Sequence, residues 1–402
     1  MLSLSLPTFF RTTFAVLACA IVAGCEVARP EAAVCTGLEA AAPASYLPTT
    51  VRVMTAEEVA TNMVSDAISE AIEDTRNGPV VLEVLTLSSG GQYGAFGAGF
   101  LRGWSENPVT PRPMFDLVTG VSAGASFSAV PYVGPAFDPL LDVFRGGSEE
   151  DIFIRHPLFW APFRASLADP SALETLLRSQ LSEQFITEIA RRFREDGSQL
   201  LISAVNIDTA QNRVFNIGEI ANAVAPMQAR RDCIVEAMLA SGAIPGLFPP
   251  RNIDGHLYAD GGLRDHVFFQ ALESERAAAA RRTGREIRVN ATIVVNGALA
   301  PFEQPATDTL PGYLTRSAEI LADEVLRDSI TEAISFAESR PGWELRGMIA
   351  NVDITRCGAD AASGTFDACV TEILFDHGRS VASTAPIAWK NADALRDKAN
   401  EF

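Results

Sequence analysis

Three short, glycine-flanked stretches hold residue types that could carry chemistry. Thr119-Gly120-Val121-Ser122-Ala123-Gly124 follows a short strand-like run, Phe115–Val118, and precedes a helix-compatible run, Ala123–Val130. Gly-x-Ser-x-Gly between strand and helix describes a nucleophile elbow, a turn so sharp that its flanking positions, here Gly120 and Gly124, must be small. The elbow holds Ser122 at a helix N-terminus, where free N–H groups favour developing negative charge. A plain Gly/Ser turn fits the same letters. The second stretch is Ser88-Ser89-Gly90-Gly91-Gln92-Tyr93-Gly94-Ala95-Phe96-Gly97-Ala98-Gly99. A glycine-rich turn between strand and helix bares successive amides and suits a phosphate or an oxyanion. It lacks the Lys-Ser/Thr pair of a P-loop, and its glycines are out of register for a dinucleotide. Gly97 and Gly99 read better as close helix packing. The third is His256-Leu257-Tyr258-Ala259-Asp260-Gly261-Gly262, where a short strand ends in a carboxylate that two glycines let approach a neighbouring backbone. An ordinary Asp-Gly surface turn is the competing reading.

These stretches need a scaffold. Val80–Leu87 is a near-continuous apolar run, as expected of a strand buried on both faces. Similar runs recur at Leu200–Ile207, Ile287–Val295 and Arg346–Ile354, with helical patterns at Ser171–Arg194, Asp232–Ser241, Val267–Arg282 and Tyr313–Glu338 between them. Alternating strands and helices predict a three-layer α/β/α sandwich on a mainly parallel sheet. One catalytic domain, 80–402, is the economical count. The 402 residues are 48% hydrophobic, enough for a sizeable core. The net charge of -18 disfavours nucleic-acid partners and attraction to anionic headgroups.

The N-terminal residues read as an address. Arg11 precedes the apolar stretch Thr12–Val22, which is too short for a bilayer span of about 20 residues but suits a signal peptide, 1–24. Val22-Ala23-Gly24-Cys25 resembles a bacterial lipobox, which implies a lipid on Cys25; an ordinary signal peptide is the alternative. Residues 25–79 would then form a lipidated N-terminus, an Ala/Pro-rich tether and a leading helix at Ala56–Arg76. Glu26 after the lipobox, by the same resemblance, points to the outer membrane of a Gram-negative envelope. In an oxidising compartment, Cys357 with Cys369 would staple the Gly358–Ala368 insert, and Cys35 with Cys233 would tie the tether to the body. Free buried thiols are the other reading.

The order of the three stretches, with Ala240-Ser241-Gly242-Ala243-Ile244-Pro245-Gly246-Leu247-Phe248-Pro249-Pro250 leading into Asp260-Gly261-Gly262, resembles the patatin-like phospholipases over about Val80–Phe268. The Asn206-Ile207-Asp208 region is similar to the family's bacterial branch. The resemblance implies a lipid acyl hydrolase with Ser122 as nucleophile, Asp260 as its dyad partner and oxyanion amides from Gly90, Gly91 and Gln92. It implies no metal or cofactor. Here Ser89 stands where the family usually has its first glycine, and Tyr93 replaces a usual cation. Three other readings stay open. One is an α/β-hydrolase triad using the late His377, with His256 and His266 merely shaping the site. Another is an inactive lipid-anchored binding protein. The third is acyl transfer to an alcohol. Ile152–Phe163 and Ile244–Pro250 could line an acyl channel or lid.

Overall fold

In the computed structural model the described residues are 29–35, 80–157, 164–270, 272–299, 306–358 and 366–400. The signal peptide, Cys25, the helix expected at Ala56–Arg76 and part of Ile152–Phe163 lie outside them.

Among the described residues the elements begin with β1 (Val80–Leu87), a 3-10 turn (Gly91–Tyr93) and α1 (Gly94–Ser105), then β2 (Leu117–Val121), α2 (Ala123–Phe127) and α3 (Ala129–Val133). A 3-10 stretch (Pro135–Phe144), α4 (Glu149–Ile152) and the small hairpin β3 (Ile154–Arg155) and β4 (Ala168–Asp169) follow. Next come α5 (Ser171–Gln180), α6 (Glu183–Glu195), β5 (Gln199–Asn206), β6 (Gln211–Asn216), α7 (Ile217–Asn222) and α8 (Met227–Ser241). Beyond these lie β7 (Arg251–Ile253), β8 (His256–Asp260), α9 (Leu272–Thr283), β9 (Ile287–Val295) and α10 (Leu310–Glu338). The chain finishes with β10 (Trp343–Ile349), α11 (Ala368–Ser383), β11 (Lys390–Asn391) and α12 (Ala392–Ala399). Among the described residues no helix is long and apolar enough to cross a membrane.

The main sheet runs β11-β10-β9-β1-β2-β5-β8-β7, and β6 also pairs with β5. Strands β10, β9, β1, β2 and β5 are mutually parallel. Their apolar runs have the composition expected of strands covered on both faces. Val80, Leu82 and Val84 of β1 pack into one core with Ile293 and Ile330, while Leu85 and Leu87 join Phe96, Phe100 and Trp104 on the opposite face. The predicted α/β sandwich is therefore the architecture found, with antiparallel strands at both margins. The helix expected over Ser171–Arg194 is two helices. Ser182 accepts the Phe185 N–H and starts α6 afresh after α5.

On one margin, residues 29–35 lie along β7. The Ala33 N–H donates to the Asn252 carbonyl (2.9 Å), and the Cys35 N–H donates to Asp254 Oδ1 (2.9 Å). The Cys35–Cys233 disulfide locks this contact onto α8, and Cys357–Cys369 closes the insert before α11. Replacing Cys35 and Cys233 together with Ser is expected to cost about 2–5 kcal/mol, read as a lower urea midpoint. An unchanged midpoint would show that 29–35 docks without help from the staple.

Candidate active site

Parallel strands gather their C-terminal ends on one rim of a sheet, and open α/β sheets place their ligand crevices there. Leu87 of β1 and Gly120 of β2 are register partners, so the glycine-rich turn and the elbow leave the sheet side by side. β8 enters antiparallel to β5 with Asp260 opposite Ala204, close to the level at which Val121 pairs with Ser203. Three segments remote in sequence thus meet at one rim.

Ser122 has φ 52° and ψ -119°, a conformation that costs a non-glycine residue about 1–3 kcal/mol and persists only where the surroundings enforce it. The enforcement is visible. The Ser122 N–H donates to Ser241 Oγ (2.9 Å), and the Ser241 hydroxyl donates to the Ser203 carbonyl (2.6 Å). A side chain on Gly124 would sit 2.4 Å from the Leu87 carbonyl oxygen, so only glycine allows the elbow to close onto β1.

The Ser122 hydroxyl donates to Asp260 Oδ2 at 2.6 Å, and the Gly262 N–H holds Asp260 Oδ1 at 2.7 Å. Asp260 is buried, and burial pushes its carboxyl up to about 6, opposed by the hydrogen bonds from Ser122 and Gly262. A carboxylate so raised is a stronger base than an ordinary one yet is still ionised at neutral pH.

Gly91 and Gln92 line a cavity of about 340 Å³ together with Ser122. They open the 3-10 turn, whose first amides have no acceptor within it. The Gln92 side chain accepts from the Asp367 N–H (3.2 Å), which ties the turn to the stapled insert. Gly90 is wedged behind the cavity: a Cβ there would lie 1.6 Å from the Asn296 carbonyl oxygen. Asn296 also braces Ser88, two residues before Gly90, its N–H donating to Ser88 Oγ (2.8 Å) and its Nδ2 to the Ser88 carbonyl (2.6 Å). Gly97 faces Asn296 and Phe127, whereas Gly99 lies against the Phe375 carbonyl of α11, so both serve close packing.

The rest of the cavity wall is largely apolar, with Phe144, Leu173, Leu176 and Phe366 among its residues. Ile152, Ile244 and Phe248 line it too, so the two segments expected to shape an acyl channel each reach it. An apolar pocket with a few convergent polar groups at one end suits a chain-bearing ester.

The histidines do not bond Ser122. His377, on α11, stacks on Phe96 with ring centroids 6.2 Å apart, and burial lowers its pKa. The Ser122 hydroxyl donates to Asp260 and not to His377. His256 is exposed at the start of β8. His266 is buried and touches Ser89, a contact with no signature in sequence. Ser241 and Asn296 were likewise invisible as site residues, for they support the elbow and the glycine turn across long separations. Among the described residues, one group could hold a metal by geometry, Cys357 with Asp367 and Cys369, and its two thiols are joined as a disulfide.

No curated protein matches the chain. Among solved structures, VipD from Legionella pneumophila is 14% identical, with 74% of this chain and 67% of that one covered, at a TM-score of 0.29. So low a score supports no argument. Residues 85–272, which run from β1 through the elbow and Asp260 to the start of α9, match the family model described as Patatin-like phospholipase. The segment that carries Ser122 and Asp260 thus matches the patatin-like phospholipase family model, which supports lipid acyl hydrolysis in general terms.

Proposed function

We propose that the protein hydrolyses acyl esters of lipids through a Ser122–Asp260 dyad. The observation that carries this reading is the 2.6 Å hydrogen bond from the Ser122 hydroxyl to a buried carboxylate, at the polar end of an apolar cavity. Asp260 takes the hydroxyl proton as Ser122 Oγ attacks the ester carbonyl. The amides of Gly90, Gly91 and Gln92 and the N-terminus of α2 receive the oxyanion. Asp260 returns its proton to the leaving alcohol, leaving an acyl group on Ser122. It then deprotonates the water that releases the fatty acid. The residues supply every proton transfer, so the scheme contains no metal.

The same reading places the chain outside the cytoplasm, anchored by a lipid on Cys25 at the cell envelope, in the outer membrane of a Gram-negative cell. Two disulfides among the described residues accord with export.

A fluorophosphonate probe should label the wild-type protein and fail to label Ser122→Ala, and hydrolysis of p-nitrophenyl esters and phospholipids should vanish in parallel. Because the base must be ionised, kcat/KM should fall about tenfold per pH unit below about 6 and level off above it. His377→Ala should keep most activity. If that variant is dead while Asp260→Asn is active, the dyad is wrong and a triad takes its place.

A further inference from the structure

His266 ties together the two loops on which the proposed reaction depends. It lies six residues beyond Asp260 and is 6% exposed. Its Nδ1 is hydrogen-bonded to the hydroxyl of Ser89, also 6% exposed, which immediately precedes the Gly90-Gly91 turn. The same ring packs on Gly262, with its Cε1 3.1 Å from where a side chain on that glycine would begin. Gly262 in turn supplies the N–H that fixes Asp260 Oδ1. One imidazole therefore touches both the residue that leads into the oxyanion amides and the residue that orients the base.

The main chain beneath the ring is fixed: the His266 backbone N–H donates to Ser329 Oγ (3.1 Å), whose hydroxyl donates to the Val325 carbonyl (2.7 Å) within α10. Ser89 is braced from behind, because the Ser88 hydroxyl donates to the Ser89 carbonyl (2.7 Å) while accepting from the Asn296 N–H. Burial lowers the imidazole to about 4, so it is neutral in the range where Asp260 is ionised and can accept the Ser89 hydroxyl at Nδ1. His266 Nε2 is buried with no hydrogen-bond partner among the described residues.

We propose that His266 is a positioning residue, and that its hydrogen bond to Ser89 sets the oxyanion amides at Gly90 and Gly91 relative to the Ser122–Asp260 pair. The assignment rests on the acyl-hydrolase reading above. It concerns only the alignment of two loops, because His266 itself touches no reacting atom.

The test uses the full chain and a p-nitrophenyl ester. Ser89→Ala removes a single hydroxyl and should lower kcat about 10- to 100-fold, the range expected from a small misplacement of catalytic groups. KM should stay within about twofold and the melting temperature should be little changed. His266→Ala should give a similar loss, the double variant should be no worse than the poorer single one, and His266→Asn, whose amide oxygen can accept the Ser89 hydroxyl, should recover part of kcat. Wild-type kcat in Ser89→Ala overturns the proposal, as do losses that multiply in the double variant. If His266→Ala does not fold, Ser89→Ala and His266→Asn decide alone. Absence of hydrolysis in the wild type would sink the acyl-hydrolase reading instead, which keeps the two failures apart.

Discussion

Asp260→Asn is expected to lower acyl-ester hydrolysis by roughly 10⁴-fold or more while making the folded chain more stable. Removing the proton acceptor disables both halves of the reaction, and the amide cannot substitute because it holds no proton-accepting pair of comparable basicity. The stability effect has the opposite sign. The Asp260 carboxyl sits at about 6 in the folded protein, against an ordinary 3.8, because burial penalises its charge. A raised carboxyl favours the fold fully below the ordinary value, and that contribution is lost as pH rises through about 6. At neutral pH the ionised group therefore costs on the order of 2–3 kcal/mol. Asparagine has the same shape, can accept the Gly262 N–H and carries no charge. The variant should show a higher urea midpoint at pH 7 than wild type, with the gap closing toward pH 4. Substantial residual turnover would show that some other group accepts the Ser122 proton.

Gly90→Ala should also be severe. The added methyl would fall 1.6 Å from the Asn296 carbonyl oxygen, and Asn296 is wholly buried and bonded to Ser88, so the turn must move rather than its neighbour. Shifting one oxyanion donor costs about 10²–10³ in rate, and overpacking a filled interior costs about 1–3 kcal/mol. Gly91→Ala is the control. It meets no atom within 4 Å and suffers only from its φ of 53°, a penalty of about 1–2 kcal/mol. Measured kcat/KM should thus fall much further for Gly90→Ala than for Gly91→Ala. Equal losses would mean that backbone conformation, rather than the wedge against Asn296, governs the turn.

Much of the fold was legible because β1 and β9 are dominated by apolar residues. Val80–Leu87 and Ile287–Val295 match β1 and β9 residue for residue, since nothing but a strand covered on both faces suits such runs. The strand expected at Arg346–Ile354 is displaced, as β10 begins at Trp343 and ends at Ile349. Its first residues, Trp343-Glu344-Leu345-Arg346, mix apolar and charged side chains and gave no clear run to read. The elbow could be read because local sterics dictate its glycines. Its supports could not. Ser241 reaches Ser122 across 119 positions, Ser89 meets His266 across 177, and Asn296 meets Ser88 across 208. A serine or asparagine at such a distance has no periodicity to betray it, and only the closing of the sheet makes it a neighbour. The marginal strand pairs were hidden for the same reason. The hairpin between β5 and β6 turns through Ala210 at φ 56°, a left-handed alanine that no turn rule would have placed there.

The Cys35–Cys233 bridge is mechanically linked to the nucleophile. Cys233 and Ser241 belong to one uninterrupted helix, eight residues or about 12 Å apart along its axis. One end is the point where residues 29–35 are fastened, and the other grips the backbone of the nucleophile. Anything pulling on the polypeptide ahead of Arg29 is therefore transmitted through a short rigid rod to the catalytic rim. In the proposed lipid-anchored reading, that rod joins the anchored segment to the catalytic rim.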